Sequence, residues 1–168
     1  MAVRGRSGRI DADRATVYSV EDAWSHALDR GGPMDFFGST IEVPAQRVLG
    51  SLGAMQALAD AWVASSAICR DYPDAGAVVV RARRGQSRAH YEPGGVIAIP
   101  LEQPWACREA VLLHEVAHHC SEGQCVTAHD GHFRLAMVRL AEVAFGPEAA
   151  LLLRASYDAA GLAVAHAA

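Results

Sequence analysis

The sequence has few of the residues that crosslink small secreted domains, and it lacks the long apolar runs of membrane proteins. Four cysteines in 168 residues are too few for a disulfide scaffold. Apolar residues make up 51% of the chain but are dispersed among charged ones, with no run of the roughly 18 that a transmembrane helix requires. We therefore expect reduced thiols, a cytoplasmic location and no membrane partner.

Charge of one sign is also scarce. The formal net charge of −4 at pH 7 gives no overall field that would attract phosphate backbones or anionic lipids. One basic cluster surrounds Gly85, and it consists of Arg81, Arg83, Arg84 and Arg88. No aromatic residues alternate with these arginines, which favours a solvated hairpin tip over a nucleic-acid-binding patch. No nucleic acid partner is expected.

Internal repeats and low-complexity tracts are absent too, and the chain is long enough to bury a core within one domain. The first ten residues carry arginines but neither the apolar stretch nor the small-residue cleavage site of a secretory signal. We predict a flexible tail over residues 1–10 and a single domain over residues 11–168.

What the sequence does contain is an alternation of helix-like and strand-like segments, typical of an α+β fold. Apolar stripes at helical spacing, with Gly and Pro at their ends, predict five helices. These lie at residues 11–31, 55–63, 105–120, 130–144 and 147–161. Strands are predicted at residues 40–43, 77–82 and 89–100, the last interrupted at 93–95. The last two strand segments are expected to form a hairpin or meander in a small, mostly antiparallel sheet of about three strands.

The helix predicted over residues 105–120 carries the chemistry. It is apolar on nearly every side, which is typical of a helix enclosed by the rest of its domain. Within it, His114-Glu115-Val116-Ala117-His118 matches the pattern HExxH. Residues four apart lie on one helix face, so both imidazoles can bind one ion. Imidazole is a common ligand of zinc, and a metal would offset the cost of burying these polar groups.

Glu115 follows the first of these histidines directly, where its carboxylate can reach a water molecule beside the ion. A zinc ion lowers the pKa of such a water toward neutrality, and a nearby carboxylate then accepts its proton as general base. The pattern therefore predicts a zinc-dependent hydrolase in which Glu115 is catalytic and His114 and His118 bind Zn²⁺.

A catalytic zinc site takes three protein ligands, and the sequence offers several candidates for the third. His129, at the mouth of the helix that Asp130 caps, is the first choice from spacing, and Asp130 is placed to cap that helix or to orient an imidazole. His132 is the next candidate. Glu142 would give a site with two histidines and a glutamate. Gln124 stands where a metzincin would have its third histidine, which excludes that subclass.

The sequence also resembles a known family. HEVAHH with its later His-x-x-x-Phe segment, the DADRATVYSVEDA helix and the AHYEPGGVIAIP strand are similar to the HExxH metallohydrolases of mycobacteria and related actinobacteria, over most of the chain. A more distant resemblance is to the SprT-like minimal zincins, which implies a minimal zincin-like fold with the sheet packed on a buried HExxH helix. In that family the histidine of the last motif is the third zinc ligand, and carried onto this chain it is His129. Asp130 and Gly131 depart from that motif, and His132 lies in the same segment.

In zincins generally, the strand before the active helix lies at a sheet edge and can pair with an extended substrate. This resemblance implies such an edge at residues 95–100, with 89–92 beside it, and pairing along 96–99 would place a scissile carbonyl near the metal. Tyr91 or His132 is a candidate for stabilising the developing oxyanion. A peptide or protein substrate is therefore expected.

Two non-catalytic interpretations compete with hydrolysis. One is a structural Cys2His2 zinc site, whose ligands would be Cys120, Cys125, His129 and His132. The other is a degenerate zincin that binds a partner through its cleft without turnover. A metal-free α+β domain with histidines in its core is the remaining alternative.

Overall fold

The computed structural model describes residues 10–85 and 88–166. Apart from Ile10, the predicted N-terminal tail lies outside these residues. The described chain folds into six α-helices: α1 Arg14–Arg30, α2 Leu52–Val63, α3 Ser66–Asp71, α4 Glu109–Cys120, α5 Gly131–Phe145 and α6 Pro147–Ala159. Five strands accompany them: β1 Gly32–Phe36, β2 Ser39–Val43, β3 Val79–Ala82, β4 His90–Glu92 and β5 Val96–Ile99. None of the helices within the described ranges is long and apolar enough to cross a membrane.

The first helix forms as predicted, and one face of it is buried. Asp13 is its N-cap residue, and Gly31 ends it with φ at +60°, a backbone conformation that glycine adopts readily. The buried residues recur at spacings of three and four and are Val17, Glu21, Trp24, Ala27 and Leu28. This face therefore carries one carboxylate, Glu21, into an otherwise apolar interior.

The main sheet is mixed, which corrects the prediction of a mostly antiparallel hairpin or meander. Its strand order is β3-β5-β4, with β3 parallel to β5 and β4 antiparallel to it. Gly94 and Gly95, with φ at +96° and +92°, reverse the chain between β4 and β5. β5 is central because its apolar residues are buried on both faces. The prediction that residues 95–100 form a sheet edge is therefore wrong, and the edges are β3 and β4.

Two elements that the sequence analysis does not predict are β1 and α3. β1 pairs with β2 in a separate antiparallel hairpin. It starts at Gly32, directly after the end of the predicted first helix. The short α3 follows Ser65, whose hydroxyl accepts a hydrogen bond from the backbone of Ile68.

The helix predicted over residues 105–120 is two helices. A 3-10 turn covers Pro104–Cys107, and α4 begins only after Arg108, which is extended with φ −71° and ψ 146°. Backbone hydrogen bonds to a distant segment cause the break, since Leu49 N–H donates to the Cys107 carbonyl at 2.7 Å and Glu109 N–H donates to the Arg47 carbonyl at 3.2 Å. No local breaker in the sequence announces this break.

The prediction that the HExxH helix is enclosed is confirmed. Ten of the twelve residues of α4 are buried, and the helix packs against α2, α5 and β4. The surrounding core draws on every helix and on both sheets. Polar groups on α4 are thus held in an apolar environment, where each needs a partner.

Neighbouring valines of β3 test this packing. Val80 is 7% exposed and Val79 is 56% exposed, so the two lie on opposite faces of the strand. Val80→Ala should lower the free energy of unfolding by about 2 kcal/mol through lost burial and a residual cavity. Val79→Ala removes an exposed side chain, so it loses only β-propensity and should lower the free energy of unfolding by less than about 1 kcal/mol. Urea denaturation measures both, and equal losses would contradict the assignment of β3 to the core sheet.

Candidate metal centre

Three histidine side chains come together beside α4. His114 and His118 lie one turn apart on α4, and His129 lies in the loop before α5. The Nε2 atom of His114 is 3.2 Å from Nε2 of His118 and 3.4 Å from Nε2 of His129. His114 and His129 are buried and His118 is half-buried. The prediction that these three side chains come together is confirmed, and they lie close enough to bind a metal ion.

Carboxylates fix the protonation of two of these rings. His114 Nδ1 lies 2.5 Å from a Glu21 carboxylate oxygen, and His129 Nδ1 lies 2.6 Å from an Asp11 carboxylate oxygen. Because an ionised carboxylate only accepts hydrogen bonds, each Nδ1 carries a proton, and in the neutral ring the lone pair is then on Nε2. Two neutral rings of this tautomer face each other through Nε2 lone pairs, and a cation between them would satisfy both.

The spacing of the nitrogens also fits a metal. For ligands about 2.0–2.1 Å from a tetrahedral ion, neighbouring nitrogens are about 3.3–3.4 Å apart. The observed separations of 3.2 and 3.4 Å are close to this value. Burial, with the charges of the neighbouring imidazoles, lowers the pKa of His118 to about 2. His118 is therefore neutral at physiological pH, as a metal ligand must be.

The carboxylate beside His114 is itself held by a tyrosine. The Tyr157 hydroxyl on α6 donates to the second oxygen of Glu21 at 2.5 Å. Tyr157, Glu21 and His114 are all buried, so this chain of hydrogen bonds runs from α6 through α1 to α4 among buried side chains. It orients the His114 ring, which is the usual role of a carboxylate behind a metal-binding imidazole.

The loop that carries His129 is clamped by a buried arginine. Arg134 donates to the His129 carbonyl at 2.7 Å, to the Asp13 carboxylate at 2.9 Å and to the Ala163 carbonyl at 2.8 Å. Asp130 caps α5, as predicted, by accepting from the backbone N–H groups of His132 and Phe133. The loop that carries His129 is thus held by Arg134 on one side and by the Asp130 cap of α5 on the other.

Aromatic rings enclose the three imidazoles. The Phe133 ring centroid lies 4.9, 4.5 and 4.9 Å from those of His114, His118 and His129. Tyr18 stacks on His114 with centroids 5.1 Å apart. Phe133 covers the imidazoles on one side, whereas His118 and His129 also line a cavity, and the low dielectric near the buried rings strengthens electrostatic interactions there.

Glu115 lies next to the three histidines and faces two cavities. One has a volume of about 430 Å³ and the other about 710 Å³, and both are lined by Glu115 and Tyr18. Burial raises the pKa of Glu115, while the neighbouring His114 opposes that shift. A buried carboxylate with a raised pKa beside an open cavity is suited to accept and return a proton near neutral pH.

Comparisons with protein-family models, with curated proteins and with solved structures found no match.

The other ligand candidates lie away from the three histidines. His132 has a side chain that is 49% exposed. Glu142 is on the outer face of α5, beside Arg139. Within the described part of the chain, the set Cys120, Cys125, His129 and His132 does not form a metal-binding group. The structure therefore brings His129 to the HExxH pair and places His132 outside the centre.

Tyr91 lines the larger cavity, but its hydroxyl is already engaged. It donates to Glu122, accepts from the Gly95 backbone N–H at 3.0 Å and lies 3.2 Å from Nδ1 of His119. His119, which is buried, donates from Nε2 to the Gly76 carbonyl at 2.8 Å. These contacts fasten the β4–β5 hairpin to the end of α4.

The sequence analysis missed Glu21, Asp11, Tyr18 and Tyr157 as parts of the site. Glu21 could have been recognised from the sequence, because it is a charged residue within the apolar stripe of α1. A carboxylate on a buried helix face needs a partner, and an unpaired histidine elsewhere is a natural one. Asp11 is the first residue of the predicted first helix, but in the structure it precedes α1 and contacts His129.

Single substitutions should separate the ligands from their neighbours. His114→Ala, His118→Ala and His129→Ala should each lose bound transition metal, because each removes one of three nitrogens. His132→Ala is the matched control and should keep about one ion per chain. Elemental analysis of protein purified without added metal measures the bound ion. EDTA should lower the thermal midpoint of the wild type and of His132→Ala, but not that of the three ligand variants. Metal-free wild type, or metal loss in His132→Ala, would contradict the assignment.

Glu21→Gln should weaken zinc affinity by about 10- to 100-fold, because the carboxylate that orients His114 is lost. Asp22→Asn is the matched control, since Asp22 is the exposed neighbour of Glu21 on α1 and should bind zinc as the wild type does. A titration against a competing chromogenic chelator measures the affinities. The same affinity in all three proteins would show that Glu21 does not hold the ring.

Proposed function

We propose that this protein is a zinc-dependent hydrolase in which His114, His118 and His129 hold the ion and Glu115 is the general base. The observation that carries this proposal is the convergence of three imidazole nitrogens, two of them in rings whose Nδ1 is hydrogen-bonded to a carboxylate, next to a buried glutamate that opens on a cavity. A structural site is closed by four protein ligands, whereas a catalytic one keeps a position open. Three ligands and an adjacent cavity favour the catalytic type.

The protein's own residues would divide the work of hydrolysis. When bound, zinc supplies Lewis-acid polarisation and a lowered pKa for water. The Glu115 carboxylate accepts the proton of the attacking water and returns it to the leaving group. Glu21 and Asp11 hold the rings of His114 and His129 by their Nδ1 protons, and Phe133 keeps bulk water from the opposite side.

A peptide or related amide is the substrate class that we propose. β4 is an edge strand of the main sheet, and both His90 and Tyr91 line the larger cavity. An extended chain could therefore pair with the backbone of β4 beside Glu115. This replaces the pairing along residues 96–99, which lie in the central strand.

The motif resemblance agrees with this proposal. HEVAHH, followed by a histidine at the mouth of the next helix, is similar to the HExxH metallohydrolases of mycobacteria and related actinobacteria and, more distantly, to the SprT-like minimal zincins. In the second family the corresponding histidine binds zinc, as we propose for His129.

Glu115→Gln tests the chemistry without removing a ligand. It should retain zinc at the wild-type level but lose at least about 100-fold in hydrolysis rate, because an amide cannot accept the proton. The assay is cleavage of a mixed peptide library followed by mass spectrometry, with Glu142→Gln as the control because Glu142 is half exposed on the outer face of α5. Zinc-loaded wild type that cleaves nothing would favour a binding module, and unchanged cleavage by Glu115→Gln would refute its role as base.

A further inference from the structure

The basic cluster of the sequence divides between two environments. Arg81 forms an ion pair with Glu92 on the neighbouring strand. Arg83 and Arg88 instead line the larger cavity, together with Arg14 from the first turn of α1. Part of what the sequence suggests is a solvated hairpin tip therefore faces the cleft that contains Glu115.

Tyr18 holds two of these cations next to the candidate metal centre. The guanidinium carbon of Arg88 lies 4.6 Å from the Tyr18 ring centroid, and that of Arg14 lies 5.7 Å from it. The same ring stacks on His114. The ring of Tyr18 thus lies between the guanidinium groups and the imidazole of His114. A substrate of a few residues is long enough to contact both.

Hydrogen bonds from Arg83 hold the segment that carries Arg88. Arg83 donates to the Arg88 carbonyl at 3.0 Å and to His90 Nδ1 at 2.6 Å. The segment that carries Arg88 is therefore tied to β4, and the cavity keeps the charge of Arg83 as well.

Three carboxylates line the same cavity; Glu115 is the proposed base, and the other two are occupied elsewhere. Asp11 is bonded to His129, and Glu122 accepts from Tyr91 and from the Gly94 backbone. Among the ion pairs of residues 10–85 and 88–166, none contains Arg14, Arg83 or Arg88. A chain whose net charge is negative thus concentrates unpaired positive charge beside its candidate centre.

We infer that Arg14 and Arg88 bind a carboxylate of the substrate, within about two residues of the scissile bond. This rests on the proposed hydrolase function and narrows it to peptides or amides that carry a free carboxylate near the cleaved bond, such as the C-terminal end of a peptide. Guanidinium groups suit this role because their fork of N–H donors matches a carboxylate, and the cation–π contacts with Tyr18 hold them in place.

Two matched probes test the inference on zinc-loaded protein. Succinic monohydroxamate combines a metal-chelating group with a carboxylate, and its primary amide carries the same chelating group without the charge. Isothermal titration should show that the wild type binds the acid at least about tenfold more tightly, the size expected for one charge-assisted hydrogen bond. The double variant Arg14→Gln and Arg88→Gln should lose this preference while binding the amide unchanged. Arg84→Gln, from the same basic cluster but outside the cavity lining, should keep it.

The outcomes are distinguishable. Wild type that binds acid and amide equally would overturn the carboxylate subsite and leave the metal centre standing. Wild type that binds neither would overturn the metal centre and the proposed function with it. If the double variant does not fold, the single variants Arg14→Gln and Arg88→Gln replace it, and the preference for the acid should shrink in each; an unchanged preference in both would overturn the inference.

Discussion

Facing lone pairs are the constraint around which this structure is organised. His114 and His129 each direct Nδ1 to a carboxylate on the far side of the ring, so in the neutral rings the Nε2 lone pairs, 3.4 Å apart, repel unless a cation lies between them. An apolar helix, an apolar floor at Phe133 and a clamped loop keep the rings from turning away. A cation bound between the rings would offset part of the cost of burying these polar groups.

The first helix shows how one element can serve both packing and chemistry. Its apolar face covers the core, and from the same side Glu21 reaches His114. One turn earlier, Tyr18 covers the imidazoles and carries the guanidinium groups of Arg14 and Arg88. Substitutions in α1 would therefore affect the centre and its cleft, although this helix contains none of the proposed metal ligands.

The sequence predicted those features that arise from local spacing. The pair on α4, the choice of His129, the capping role of Asp130 and the burial of the helix all follow from patterns within about twenty residues. What it missed depends on contacts between distant segments: the parallel pairing of β3 with β5, and the break at Arg108 imposed by the strand-like segment at Leu49. Glu21 is an intermediate case. Its place in the apolar stripe of α1 can be recognised in the sequence, but its partner His114, 93 residues away, cannot.

The relay from Tyr157 to His114 has a consequence for how the protein matures. Tyr157 and Glu21 are 136 residues apart in the chain, so a ribosome must deliver almost the whole domain before the histidine acquires its full support. A nascent chain that has exposed only the HExxH segment offers two loosely held rings, whereas the finished fold offers a rigid cage. Binding of the proposed ion would in this way depend on a nearly complete chain, and a loaded centre would mark a correctly folded molecule.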